Sequence, residues 1–368
     1  MIVRGIELTN FRNISAAALS FSPGMNVIGG RNAQGKTNLL EAIHLFSLGR
    51  SFRTRNLDEA IRFGEEYLFC RLAGRSDAGV DFRIEIGLER SGRLKVSVNG
   101  TRAAGIAEII GVIPSVIFVA EDILIAGGPP ANRRAYLDYT AAQVSPAFLR
   151  DLREYRRVLR HRNALLEAAA RGGREPEALE AWDEALIARA AAIVRGRREV
   201  LGDVARRAAG LLGEVMRGAP GLEMTYVCSF DPTDKDPAAA LREALARVRE
   251  TERRRGYTMA GPHYDDVSIC LESAELRRYG SQGRKRLAAL VLKLAQAGTI
   301  MDRRGERPVV LLDDIFSELD RETGERLRGH IVESYQSFVT TPRPGELGLE
   351  RAGAAIFSVE GGEFIVSF

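Results

Sequence analysis

Cysteine is scarce. Cys70, Cys228 and Cys270 are the only three, an odd number, far apart and without CxxC spacing, which excludes a disulfide framework or a thiolate zinc site as an organising feature. A reducing compartment is therefore expected. Histidine is almost as sparse: His263 has no second ligand near it in sequence, and His44, His161 and His330 stand alone. No apolar run approaches the roughly 20 residues a membrane helix needs, and Met1–Leu8 shows no leader pattern, so a soluble, cytoplasmic protein is expected. Lysine is nearly missing too: among 53 basic residues only Lys36, Lys95, Lys235, Lys285 and Lys293 are not arginine, and arginine suits phosphate recognition. A net charge of +4 over 368 residues is too mild to require or exclude a polyanionic partner. There is no internal repeat, and the single tryptophan, Trp182, falls in a helical stretch where it reads as a packing residue.

What is present is a globular composition, 45% hydrophobic and 28% charged, on a chain long enough for two lobes. Its most specific feature is Gly30-Arg31-Asn32-Ala33-Gln34-Gly35-Lys36-Thr37, which fits G-x-x-x-x-G-K-[ST]. The preceding Gly24–Gly29 reads as a short buried strand, and Asn38 to Ile43 continues with helical apolar spacing. A glycine-rich turn with an exposed lysine is the alternative, but the flanking strand and helix give the context of a nucleotide site. Glycines 30 and 35 would let successive backbone N–H groups turn inward around phosphate oxygens at a helix N-terminus. Lys36 would neutralise the β and γ phosphates, the Thr37 hydroxyl stands where such loops ligate Mg²⁺, and Asn38 completes the expected ATP contacts.

Up to about Phe118 the signals are mostly strands, with Phe82–Leu88 and Leu94–Gly100 forming a hairpin across Glu89–Arg93. From about Pro146 to Met216 the period becomes helical, with Phe148, Leu152, Tyr155 and Leu159 on one face. Arg171-Gly172-Gly173-Arg174-Glu175-Pro176 should break this run and reverse the chain, giving a short antiparallel helical arm. After Tyr257 strand signals return. The division expected is 1–134, 135–256 and 257–368, with the middle piece mainly helical.

In the last piece, Val309–Leu312 followed by Asp313 and Asp314 has the form of a Walker B strand, which delivers carboxylates to the sheet's carboxyl edge. Asp313 would approach Mg²⁺, and Asp314 would polarise the attacking water as the catalytic carboxylate beside Lys36. An ordinary strand ending in a solvated turn would look similar, but two further elements flank it. Ser281-Gln282-Gly283 opens a helix upstream, and Ser317-Glu318-Leu319-Asp320 follows within one short loop. The order of the four elements is that of an ABC-type ATPase. Ser281 is also suited simply to cap its helix, a role compatible with binding phosphate.

Taken with Asn10–Asn13, Gly49–Arg53, Arg160–Leu166 and Gly261-Pro262-His263-Tyr264-Asp265-Asp266, these motifs make the chain resemble the RecF family of SMC-like ATPases from end to end. The resemblance implies an α/β fold, an ABC-type P-loop ATPase head assembled from the N- and C-terminal segments, with an inserted mainly helical arm. It implies two heads sandwiching ATP and Mg²⁺, the signature Ser281-Gln282-Gly283 acting in trans, and Ser317 and Asp320 as the D-loop. It further implies weak, DNA-stimulated ATP hydrolysis used as a conformational switch. The implied output is binding to single-stranded and gapped DNA, with RecR and RecO as partners in loading RecA, in repair, recombination, replication and the SOS response. Arg50, Arg53, Arg133 and Arg134 are the candidate DNA contacts.

The chain departs from related patterns in three places. Phe338-Val339-Thr340-Thr341 puts threonine where transporter ATPases carry a switch histidine, which predicts slow turnover. Tyr264 replaces a common arginine, and Arg284-Lys285 follow the signature where glutamines are usual. The Gln-loop has no secure position; Glu121, Asp122 and Gln143 are candidates. Two other readings are an SMC-like structural DNA tether, which would need longer heptad arms, and a transporter ATPase subunit, which would need the switch histidine.

Overall fold

The computed structural model describes residues 1–54, 56–172, 178–215, 221–230, 236–318, 321–342 and 354–367. The first strands and helix are β1 (Ile2–Phe11), β2 (Ile14–Ser20), β3 (Met25–Gly29) and α1 (Lys36–Leu48). They are followed by β4 (Tyr67–Arg75), β5 (Asp81–Glu89), β6 (Leu94–Val98), β7 (Thr101–Arg102) and β8 (Ser115–Phe118). The middle of the chain carries α2 (Ile123–Gly127), α3 (Pro130–Val144), α4 (Pro146–Ala170), α5 (Leu179–Val215), β9 (Leu222–Val227), α6 (Pro237–Arg255), β10 (Asp266–Leu271), β11 (Ala274–Glu275), α7 (Leu276–Tyr279) and α8 (Gln282–Arg304). It closes with β12 (Val309–Asp313), α9 (Arg321–Ser334), β13 (Ser337–Thr341), β14 (Ala355–Glu360) and β15 (Glu363–Ser367).

Two compact units result: Met1–Asp122 with Glu214–Arg217 and Lys293–Phe368, and Ile123–Gly213 with Gly218–Leu292. They divide the chain elsewhere than the 134 and 257 expected from sequence. The signature turn and the Gly261–Asp266 stretch fall in the second unit, and the later boundary lies inside α8.

In the first unit one sheet has the order β15-β14-β3-β13-β12-β8. β14, β3, β13, β12 and β8 are parallel neighbours, and β15 adds antiparallel to β14. Strands from both ends of the chain thus interleave in one sheet. β3, β8 and β13 are buried along their whole length, as expected for parallel strands covered on both faces. The second sheet, β2-β1-β4-β5-β6-β7, is antiparallel. β4 and β5 alternate buried and more open residues, so one face packs inward and the other meets solvent. The expected hairpin is β5–β6, registered Leu88 to Leu94.

Helix α1 packs against β1 and β4 of one sheet and against β8, β12 and β13 of the other. It is consequently buried nearly all round rather than along one stripe. His44 on it is fully buried, and burial pushes its imidazole down to about 3.

In the second unit α4 and α5 run antiparallel: Asp151 pairs with Arg189 at 2.7 Å, and Arg162 pairs with Asp183 at 2.7 Å. Trp182 stacks on His161 at 4.8 Å between ring centroids, an arm-packing role. Of the expected chain reversal, residues 173–177 lie outside the described residues. The unit also holds a small sheet, β11-β10-β9, with β10 and β11 in the stretch after Tyr257 where strand signals return, and β9 and the helix α6 beyond the helical run expected over Pro146–Met216. Among the described residues, no helix is long and apolar enough to cross a membrane.

Candidate nucleotide site

The loop between β3 and α1 carries the unusual backbone its motif calls for. Gly30, Ala33 and Gly35 have φ of 154°, 66° and 119°. A Cβ on Gly30 would stand 2.5 Å from the Val359 carbonyl oxygen, and one on Gly35 would stand 2.8 Å from Asn13 Oδ1. Gly30 therefore needs glycine for space as well as for conformation, and Gly35 for conformation. Arg31, Asn32 and Ala33 are exposed along the loop's outer edge.

Four contacts from distant parts of the chain hold the loop's shape. Asn13 Nδ2 donates to the Gln34 carbonyl at 2.9 Å, while Asn13 Oδ1 accepts from Asn38 Nδ2 at 2.7 Å. The β14–β15 turn supplies the others: Gly362 N donates to the Gln34 carbonyl at 2.9 Å, and Gly361 N to Gln34 Oε1 at 2.6 Å. Below the loop, Glu41 is fully buried and accepts from Arg12 at 3.0 and 2.6 Å and from Ser51 Oγ at 2.5 Å. A buried carboxylate is tolerable only with such charge-assisted partners. Asn10–Asn13 and Gly49–Arg53, visible in sequence only as motifs, thus act as the loop's supports.

Lys36 is buried at the start of α1, and its Nζ donates to the carbonyls of Gly30 and Arg31 at 2.5 and 2.9 Å. Burial lowers its pKa, and the charges of Asp314 and Asp313 pull the other way. Thr37 Oγ1 stands 2.9 and 3.0 Å from the two Asp313 carboxylate oxygens. Opposite the loop, Thr340 on β13, the strand paired with β12, is almost wholly buried. Its hydroxyl donates to Asp313 Oδ1 at 2.7 Å and accepts from the Asp314 backbone N–H at 3.0 Å. Asp314 is held at φ 53°, in the left-handed region that a non-glycine residue seldom adopts. Thr340, within the Phe338–Thr341 stretch that lacks a switch histidine, is therefore a brace for both Walker B carboxylate residues. A cavity of about 450 Å³ is lined by Gly35, Lys36, Thr37, Asn38, Arg53, Asp313, Asp314 and Thr340.

A hydroxyl and a carboxylate converging beside a lysine and a helix N-terminus suit a divalent cation carrying phosphate. Among the described residues no cluster of three or more histidine, cysteine or acidic side chains offers a separate metal site, so a cation here would need oxygens from a ligand as well.

The remaining candidates are placed as follows. Ser281 and Gln282–Arg284 are exposed; Ser281 Oγ accepts from Arg284 N at 3.3 Å, capping α8. Ser317 belongs to the 3-10 turn Ile315–Glu318, whereas Asp320 lies outside the described residues. Arg50 is exposed just past α1. Arg53 is exposed, donates to Asn38 Oδ1 at 2.7 Å, and lines the nucleotide cavity rather than a separate surface. Arg133 and Arg134 require correction as DNA contacts. Arg133 is only 3% exposed and makes a two-pronged contact with Asp266 at 2.7 and 3.0 Å; Arg134 is half-buried and donates to the Asp265 carbonyl at 2.7 Å. Of the Gln-loop candidates, Asp122 pairs with Lys293 at 3.5 Å, and Gln143 is buried in α3.

The other two motifs meet inside the second unit. Arg162 is buried against Asp183, Glu252 and Thr258, and Asn163 Oδ1 accepts from the Thr258 backbone at 2.9 Å. Asp265 accepts from Tyr226 Oη at 2.6 Å and Ser229 N at 2.8 Å, and Arg197 donates to the Pro262 carbonyl at 2.7 Å. His263 Nδ1 lies 2.5 Å from Tyr155 Oη, and burial pushes its imidazole down to about 4. These residues form an internal polar network, where unpaired charge would be costly.

The RecF/RecN/SMC N terminal domain family matches residues 2–363. The chain is 35% identical over 347 residues to the DNA replication and repair protein RecF of Geobacillus thermodenitrificans, covering 93% of this chain and 92% of that one. It is 34% identical over 374 residues to RecF of Bacillus subtilis, covering 99% and 100%. A solved structure described as the recombination mediator protein RecF-ATP in the RecFOR pathway superposes with a TM-score of 0.92 at 34% identity, over 100% of this chain and 98% of that one. An SMC head bound to the C-winged helix domain of ScpA gives a TM-score of 0.60 at 17% identity, over 100% of this chain and 97% of that one, a likeness of fold.

Proposed function

The chain belongs to the RecF family of DNA replication and repair proteins within the SMC-like ABC ATPases, and on that premise we propose that it is an ATP-dependent DNA-binding protein of recombinational gap repair. It dimerises around ATP on single-strand gaps, acts in the cytoplasm, and helps RecA to load together with RecR and RecO. The observation that carries the nucleotide part is the meeting of Thr37 with Asp313 beside Lys36, three residues delivered by opposite ends of the chain.

The geometry supports the following roles. The loop N–H groups and Lys36 bind the phosphates, the lysine exchanging its carbonyl partners for phosphate oxygens. Thr37 and Asp313 are the side chains offered to Mg²⁺, which when bound neutralises charge on the β and γ phosphates. Asp314, set in place by Thr340, orients and polarises the attacking water. The exposed signature turn Ser281-Gln282-Gly283 closes on the γ-phosphate of a second copy, and Ser317 with Asp320 completes that interface. Since ATP is shared between copies, its hydrolysis releases the dimer, a slow switch rather than a fast turnover.

The adenosine end is read into a second cavity of about 810 Å³ that shares Asn38 and Arg53 with the first. Its lip carries Phe63, 99% exposed, beside the turn glycine Gly64 at φ 87°. A ring so exposed gains little in the protein itself and offers a face on which a base can stack.

A tether is disfavoured by the lengths of α4 and α5, 25 and 37 residues, roughly 40 and 55 Å of helix. The proposal is tested by binding to gapped duplex with ATP and Mg²⁺, without nucleotide, and with Lys36→Met. Tight binding only with ATP and intact Lys36 is expected; equal binding in all three conditions would remove the ATP gate.

A further inference from the structure

The solvent face of the antiparallel sheet in the first unit carries a cleft of about 600 Å³ that takes no part in the nucleotide site. Its floor is a single row across four strands. Thr9 on β1 faces Phe69 on β4, Phe69 faces Gly87 on β5, and Gly87 faces Lys95 on β6. The row therefore presents a hydroxyl, a ring, a gap and an ammonium in order.

The gap is the informative member. Gly87 sits inside a regular strand, and a Cβ there would meet nothing within 4 Å. The fold itself does not need glycine at this position, and glycine weakens a strand interior. Such a glycine marks a place where something approaches the sheet closely. A ring covering a cross-strand glycine is a known packing device, but the Phe69 ring does not cover Gly87, because a Cβ there would meet nothing within 4 Å. Nor would such a device account for Tyr67, two residues away on the same face and 48% exposed, or for the cations. Arg93 and Lys95 both line the cleft, are exposed, and have no ion-pair partner among the described residues. Arg71, by contrast, is tied to Glu7 and Glu85 at 2.8 Å each and lies over the Phe69 ring at 5.4 Å, fixing that ring in place.

We propose that this cleft binds an unpaired nucleotide of single-stranded DNA, its base against Phe69 and Tyr67 over the hollow at Gly87 and its phosphate on Lys95 and Arg93. Two aromatic rings at alternate positions of an open strand are the arrangement by which a sheet stacks successive bases. The free cations suit the backbone. Glu66 and Glu89, which also line the cleft, are acceptors for the exocyclic amines of a base. The inference rests on the reading of the protein as a DNA binder and adds where the unpaired strand is held.

The decisive variant is Gly87→Thr, which puts into the hollow a residue that favours strands and whose Cβ has open space around it. Binding of the full-length protein to labelled single-stranded, gapped and blunt duplex DNA would be followed by anisotropy, alongside Phe69→Ala and Lys95→Ala. Gly87→Thr is expected to unfold no earlier than the parent and to bind ATP equally. It should lose about tenfold in affinity for single-stranded and gapped DNA, within the loss from removing one stacked base, and keep its affinity for blunt duplex. Unchanged single-strand affinity in Gly87→Thr, or equal losses on all three DNAs, would overturn the cleft while leaving the gap-repair reading intact. A parent protein that binds no DNA in any nucleotide state would sink that reading and this one together.

Discussion

Replacing Thr340 by valine keeps the volume and removes one hydroxyl, so its consequences can be worked from two contacts. The hydroxyl donates to the Asp313 carboxylate at 2.7 Å and accepts from the Asp314 N–H at 3.0 Å. A hydrogen bond to a charged group contributes about 1.5–3 kcal/mol and a neutral one about 1 kcal/mol. The local loss is therefore about 3 kcal/mol, a little over a hundredfold in an opening equilibrium. The single tryptophan, Trp182, belongs to the second unit and will not report it. Amide hydrogen exchange over β12 and β13 will, because protection there follows the free energy of local opening. Thr340→Val should exchange about a hundredfold faster in these strands and need more Mg²⁺ to bind ATP, since Asp313 keeps only Thr37 as a hydroxyl partner. Its turnover should fall further than its ATP affinity, because Asp314 loses the contact that sets its strained backbone. Thr340→Ser should restore all three. Unaltered protection and Mg²⁺ dependence in Thr340→Val would refute the brace, as would a serine variant as impaired as the valine, which would point to the methyl group instead.

Other consequences concern burial and charge. His44 and His263 are held neutral, at about 3 and about 4, whereas the unfolded chain protonates them near 6.5. The unfolded state then binds the extra protons, so stability should fall as pH drops from about 6.5 toward 4, by up to about 1.4 kcal/mol per histidine per pH unit. Urea unfolding read through Trp182, which shares the second unit with His263, should show the His263 part of this slope, and His263→Gln should flatten it; an unchanged slope would contradict the assignment. Arg133→Ala should destabilise the second unit by about 2–3 kcal/mol, less than for a fully buried pair because Asp266 is partly open. At equal folded fraction its DNA affinity should match the parent's, and a specific loss of DNA binding would restore Arg133 as a contact. Phe63→Ala should weaken ATP binding about tenfold, in the range of one lost stacking contact, and leave binding of inorganic triphosphate unchanged; equal losses for both would place the base elsewhere.

What was legible in the sequence was local. The Gly30–Thr37 loop, the Val309–Asp314 strand end and the β5–β6 hairpin each carry their signal within a dozen residues, so their form and order were open to reading. The supports were not, because each pairs residues far apart. Asn13 with Gln34, Arg12 with Glu41, and Thr340 with Asp313 are ordinary polar residues until the fold brings them together. In sequence Thr340 is only one member of the Phe338–Thr341 run that lacks a switch histidine, and its role depends on β13 lying beside β12. Arg133 and Arg134 looked like surface charge because arginine abounds, and only burial against Asp266 and the Asp265 carbonyl distinguishes them. Helix α6 escaped notice because its buried side chains include small alanines, Ala240 and Ala244, beside Leu241 and Leu245, a weak stripe within an arginine-rich segment. β9 is half open, with Glu223 and Thr225 among its residues, and gains its strand character from pairing with β10.

The central claim is that ATP joins two copies through the site built on Lys36, Thr37 and Asp313. Molecular mass by light scattering tests it most directly, with ATP and Mg²⁺, without nucleotide, and with Lys36→Met, each with and without gapped DNA. A doubling of mass only with ATP and intact Lys36, strengthened by gapped DNA, is the predicted result. A monomer under every condition, or a dimer indifferent to ATP and to Lys36→Met, would contradict it.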